Sequence, residues 1–156
     1  MAEDTAETER QLNETYRQAV VIVSAEILSV VVLLAISFLM PVRSGNSAGF
    51  DSTALMVLII FIGAASFVVR RLFNRWERYK TAMLLGGSSK LINTLRNNAV
   101  VFAAFGLLIG LVGYIAGTFG GNVLDMLRAS AVAIIVFAIN FPRRGVWEKI
   151  VWSLHE

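Results

Sequence analysis

The stretch AVVFAAFGLLIGLVGYIAGTF, residues 99–119, decides the fold. It runs for 21 residues without a charge. About 20 apolar residues of helix are enough to cross the ~30 Å hydrocarbon core of a bilayer. Its glycines, Gly106, Gly110, Gly113 and Gly117, recur at spacings of four, three and four. Such positions share one helix face. Glycine lets a neighbouring backbone approach closely, so that face reads as a packing ridge between membrane helices.

Working outward, three further apolar runs accompany it. Residues 19–40 hold one charge, Glu26. Residues 53–69 hold none and stop at Arg70 and Arg71. Residues 123–141 stop at Pro142, Arg143 and Arg144, and carry Asp125 and Arg128 near their start, three apart and able to pair. The whole chain agrees: of 156 residues, 56% are hydrophobic and 16% charged, the mean hydropathy is +0.68, and cysteine is absent. An ordinary soluble domain carries about 25% charged residues. A chain this short also leaves much of its surface exposed, so one soluble core could not hide so much apolar area. A soluble enzyme, a disordered chain and a disulfide scaffold are therefore excluded. The expected fold is all-α: a polytopic membrane protein with four transmembrane helices in one membrane domain covering residues 1–156. The first run is too long for a signal-peptide core and follows an acidic flank, so it is expected to remain as a span.

Lysine and arginine placement sets the expected orientation. Residues 70–98 hold seven basic residues against one acid, Glu77. With the tail after Phe141 and the N-terminal Arg10 and Arg17, twelve basic residues fall on one side; Arg43 and Arg128 fall on the other. The reading is a multi-pass integral membrane protein with both termini and the middle segment cytoplasmic. A basic surface there is drawn to anionic lipid at the cytoplasmic face of the bilayer. No basic patch interleaved with aromatics suggests nucleic acid as a partner.

The halves resemble each other. Leu12-Asn13 precedes Ala19-Val20-Val21, and Ile92-Asn93 precedes Ala99-Val100-Val101, at an offset of 80. Arg70-Arg71 is followed by Trp76-Glu77-Arg78, and Arg143-Arg144 by Trp147-Glu148-Lys149. Two spans per half keep both halves in one orientation, so the expectation is a pair of duplicated parallel hairpins. In the tail, residues 143–156, Val146, Trp147, Ile150, Val151 and Leu154 share one helical face. That face reads as an amphipathic helix lying on the cytoplasmic leaflet. Leu72, Phe73, Trp76 and Tyr79 in the middle segment read the same way. Arg70, Arg71, Trp76, Arg143, Arg144 and Trp147 are the expected lipid-interface residues. Gly86-Gly87-Ser88-Ser89 breaks the middle segment, with a serine able to cap the helix that follows.

Chemistry is sparse. One histidine, His155, and scattered acids argue against a metal or cofactor site, and no nucleophile–base spacing argues for an enzyme. Glu26 is the one ionisable residue inside the first apolar run, at shallow depth, with Ser29 and Ser37 near its face. An ionisable group costs at least ~2.5 kcal/mol near a span's centre and is a functional candidate by default. Glu26 lies six residues beyond Val20, roughly 9 Å at 1.5 Å per residue. At that depth it can reach the interface, pair with Arg17 or Arg96, or take up a proton. Over Ala25-Glu26 the first span resembles that of small multidrug-resistance transporters, and the long basic middle segment departs from them. Duplicated proteolipid subunits of rotary ATPases are similar in span number and glycine content, with their acid on the second helix of a hairpin. No family is assigned. The expected function is a non-catalytic accessory or scaffolding subunit, as a homo-oligomer or with other membrane subunits. An oligomeric channel or proton-coupled transporter using Glu26, Ser29 and Ser37 is the alternative.

Overall fold

The computed structural model describes residues 2–39, 52–120 and 123–155. Five helices follow in order: α1 (Ala2–Leu39), α2 (Ser52–Phe73), α3 (Trp76–Gly120), α4 (Val123–Asn140) and α5 (Arg144–His155). Among the described residues, four helices are long and apolar enough to cross a membrane, the chain's all-helical class following directly from them. Residues 40–51, which include Arg43 and Ser47, residues 121–122 and Glu156 lie outside the described residues.

α1 is a single helix of 38 residues. At ~1.5 Å per residue it is roughly 57 Å long, about twice the hydrocarbon thickness. The polar lead-in and the apolar run are thus one continuous rod. The middle segment is almost wholly helical as well. α2 ends at Phe73, Asn74 and Arg75 form the turn, and α3 begins at Trp76. α3 then bends at Gly86 and Gly87. Gly87 holds φ 62°, a backbone region that L side chains rarely adopt. The break expected from Gly86-Gly87-Ser88-Ser89 therefore falls at this glycine pair, with helix resuming at Ser88. Pro142, lacking an N–H, ends α4, and Arg143 O starts α5 by accepting from Val146 N (3.0 Å) and Trp147 N (3.3 Å).

α3 is the central helix, packed by α1, α2, α4 and α5. The most apolar windows of α3 and α4 are 44% buried inside the protein, those of α1 and α2 only 17%, which puts the latter pair on the outside. Two cores stack along the bundle. The first lies among the apolar runs and joins Val23, Val30, Ile59, Ile109, Ala133 and Phe137. The second lies beyond them, at the arginine-rich end, and joins Leu12, Tyr79, Ile92, Leu95, Trp147 and Val151. Here the tail differs from its sequence reading. Trp147 is 5% exposed and Val151 fully buried, because the apolar face of α5 packs against the lead-in portions of α1 and α3. Tyr16 meets the Trp147 ring edge-on at 5.5 Å, and its hydroxyl donates to Pro142 O at 3.3 Å.

Candidate functional site

At the arginine-rich end, where the ends of α2 and α4 meet α3 and α5, the bundle forms a half-open cavity of about 290 Å³. Its polar wall comes from Arg70, Asn74, Tyr79, Asn98, Asn140 and Arg143. Each is placed by a local feature. Arg70 closes the last turn of α2, and its Nη1 donates to Ile139 O at 2.7 Å. That bond answers one of the carbonyls left free at the end of α4. Tyr79 is held by burial against α1 and α5; its hydroxyl donates to Asn74 Oδ1 at 2.6 Å and faces Asn98 Nδ2 at 3.4 Å. Asn98 also reaches Phe73 O at 3.5 Å. Asn140 is buried, and its Oδ1 has no hydrogen-bond partner.

The electrostatics are one-sided. The lining residues include two arginines and no carboxylate. Burial pushes the Tyr79 phenol above its ordinary value of 10.0, while the Asn98 bond and the charges of Arg78 and Arg70 pull the other way. Tyr79 therefore enters the site as a neutral hydroxyl. Arg78 lies 4.0 Å over the Phe73 ring, which braces the α2–α3 turn from outside.

Glu26 stands apart from this cavity. It is half-buried on the α1 face that also carries the buried Val23 and Val30, and its Oε2 has no hydrogen-bond partner. Ser29 and Ser37 do not join it: their hydroxyls donate back to Ala25 O (2.8 Å) and Leu33 O (3.0 Å) of α1 itself. Arg96, one of the two residues suggested as a Glu26 partner, donates instead to Gln18 Oε1 at 3.2 Å. Among the described residues no group of acids and histidines is arranged to hold a metal. Comparison with protein-family models, curated proteins and solved structures returns no match.

The four ridge glycines of α3 divide between two neighbours. A Cβ at Gly106 would lie 2.9 Å from the Phe137 ring, and one at Gly117 2.8 Å from Met126 Cβ. A Cβ at Gly113 would collide with Ala129 Cβ. These three face α4. Gly110 faces α1, where a Cβ would lie 2.7 Å from Val30 Cγ2.

Of the six residues read as interfacial, the structure gathers three, Arg70, Arg143 and Trp147, around the cavity. Arg71 and Trp76 are exposed, and Arg144 bonds Glu148 Oε1 at 2.6 Å. Sequence reasoning missed Tyr79 as a site residue, and Asn98 and Asn140 altogether. An amide just before an apolar run, as at Asn98, or one residue from the end of one, as at Asn140, was the available signal. At the opposite end, buried Asp125 accepts from Ser52 Oγ at 2.8 Å and from Arg128 Nη1 at 3.3 Å, tying the start of α2 to α4.

Proposed function

We propose that this chain is a non-catalytic accessory or scaffolding subunit of a membrane complex, with both termini cytoplasmic. The observation that carries the reading is the closure of α3. Where its glycines face α1 and α4, even one methyl group would meet its neighbour at 2.9 Å or less. Helices packed to that degree leave no water-wide path between them. Both serines of the α1 stripe are also satisfied by their own helix.

Contact registers support duplication. Val30 of α1 meets Gly110 of α3, an offset of 80, the same as in the repeated sequence. Ser52 of α2 meets Asp125 of α4 at an offset of 73, which is also the offset of the two arginine pairs. Equivalent helices that run parallel and touch at equivalent positions are what a two-fold relation along the membrane normal produces. The copies have diverged in packing. Positions equivalent to Gly106, Gly113 and Gly117 are Glu26, Leu33 and Ser37. α4 closes on the glycine face of α3, whereas α2 packs on α3 and α4. The outward apolar surfaces of α1 and α2 are left for lipid, a second copy or another subunit. Exposed Trp76, Leu84 and Leu85 suit an interfacial first arm of α3.

One observation favours the transport alternative: the unpartnered Oε2 of Glu26. Both readings are tested by purifying the protein under mild detergent, identifying what accompanies it, and measuring proton and potassium flux into liposomes for wild type and Glu26→Gln. Co-purifying membrane subunits without flux support the accessory role. Wild-type flux that disappears in an equally assembled Glu26→Gln variant would replace it with the transporter.

A further inference from the structure

We infer that the flank of α1 around Glu26 is a docking surface for a transmembrane helix of a different subunit, one that carries a lysine or arginine level with Glu26. The inference rests on the accessory-subunit reading and names the partner that reading requires. Glu26 lies at the edge of the α1 stripe that packs into the bundle. Ile22 and Ser29, four residues before it and three after, are its neighbours on the helix surface, and both are exposed. Ala25, one turn before Ser29, is exposed as well. In the repeat, Glu26, Leu33 and Ser37 stand where α3 has Gly106, Gly113 and Gly117. Those three glycines are buried beneath α4, whereas their equivalents on α1 are only half-buried. α2, which corresponds to α4 in its own half, lies against α3 and α4 instead. The matching occupant of the α1 flank is therefore a helix, and the small side chains of Ala25 and Ser29 let one approach closely.

Glu26 selects the chemistry of that helix. Among the described residues its carboxyl has neither a hydrogen bond nor an ion pair. Oε2 is closed off within the bundle, which leaves Oε1 as the oxygen offered to the flank. A carboxylate only accepts, and in hydrocarbon it is relieved best by a cationic donor. Ser29 Oγ donates its proton to Ala25 O and keeps lone pairs for the same cation. A second copy in the same orientation brings no such cation. Arg128 is the one basic residue inside the four apolar runs; it belongs to the opposite end of the bundle and is paired with Asp125. Arg17 stands nine residues before Glu26, about 13 Å along the helix axis, and Arg96 is held by Gln18. Neither is level with Glu26, in its own copy or in a second. The partner is a different chain with its lysine or arginine roughly 9 Å inside the cytoplasmic end of its span.

The test reconstitutes the full-length protein, labelled on its tail for energy transfer, with labelled model helices of about 20 leucine and alanine residues. One helix carries a single lysine six residues from an end; the other carries methionine there, uncharged and of similar shape. At neutral pH the lysine helix should bind wild type about tenfold more tightly than the methionine helix, within the range of hydrogen bonds between membrane helices. Glu26→Gln should lose that preference, because the amide carries no charge. Ser29→Leu alters an exposed side chain, so it remains readable even where Glu26→Gln fails to assemble. It should weaken both helices by holding them off the flank. Equal binding of the lysine and methionine helices to wild type overturns the inference, as does a lysine preference that survives in Glu26→Gln. Disulfide cross-linking between copies of purified Ile22→Cys protein would place a second copy on the flank and overturn it too. The accessory reading fails separately, through flux in liposomes without model helices that Glu26→Gln abolishes. Equal helix binding without such flux removes only the basic partner.

Discussion

The sharpest quantitative consequence of the packing is a contrast between Gly113→Ala and Gly63→Ala. Both glycines are in helices, so both substitutions gain the same backbone term, about 1 kcal/mol in favour of alanine. Their surroundings differ. A Cβ at Gly63 has Val132 Cγ1 at 3.8 Å, an ordinary contact. A Cβ at Gly113 collides with Ala129 Cβ, with Ala129 Cα at 3.6 Å and Met126 O at 3.7 Å behind it. A methyl group on each side has no rotamer through which to escape, so α3 and α4 must move apart. Inserting a methyl into a filled core costs about 1–3 kcal/mol. With the backbone term common to both, that packing term is the stability gap expected between the variants. It corresponds to about 2–4 °C in Tm per kcal/mol for a chain of this size. Thermal unfolding of each variant in one detergent measures it. The double variant Gly113→Ala/Ala129→Gly moves the methyl across the interface and should recover most of the loss. Equal stability of Gly113→Ala and Gly63→Ala, or no recovery in the double variant, would refute the close approach.

Three other outcomes are expected. Asp125→Ala should destabilise the protein by about 1–3 kcal/mol in thermal unfolding, because it orphans Ser52 and Arg128 where α2 meets α4. Since burial holds the Tyr79 phenol above 10.0, its contribution is complete below pH 10.0 and declines as pH rises from there through the folded-state value. Tyr79→Phe should therefore lose less stability between pH 9 and pH 11 than wild type, as followed by circular dichroism. Finally, in this cysteine-free chain, cysteine at Ser47 should be labelled by an impermeant reagent in intact cells and cysteine at Ser88 should not. The reverse pattern would invert the proposed orientation.

The four apolar helices were legible because hydropathy is a property of contiguous residues. The run 99–119 and the arginine pairs that stop two other runs needed no tertiary context. The break at Gly86-Gly87 was legible for a similar reason: adjacent glycines punctuate a helix wherever they fall. The tail was legible only as an amphipathic helix. Its apolar face, Trp147, Ile150, Val151 and Leu154, suits a leaflet or a protein partner equally well by pattern. The lead-in portions of α1 and α3, each longer than its span requires, supply that protein partner. Glu26 stood out in sequence as a charge in an apolar run, yet its relation to Ser29 and Ser37 did not follow from a shared face, since each hydroxyl can turn back to its own helix.

What the sequence by itself determined is additive along the chain: which segments are apolar enough for a bilayer, where they stop, and at which end the basic residues gather. Only the tertiary structure decided which faces meet. The ridge glycines Gly106, Gly113 and Gly117 of α3 serve α4 and Gly110 serves α1, because two different helices approach the same ridge from different sides. The cavity is decided in the same way. Arg70, Asn98, Asn140 and Arg143 lie on three helices and a junction, and they become one site through the bend that seats α5 and the bond from Arg70 to the end of α4. Polar residues scattered at the ends of apolar runs acquire a common chemistry only when packing brings them to one space.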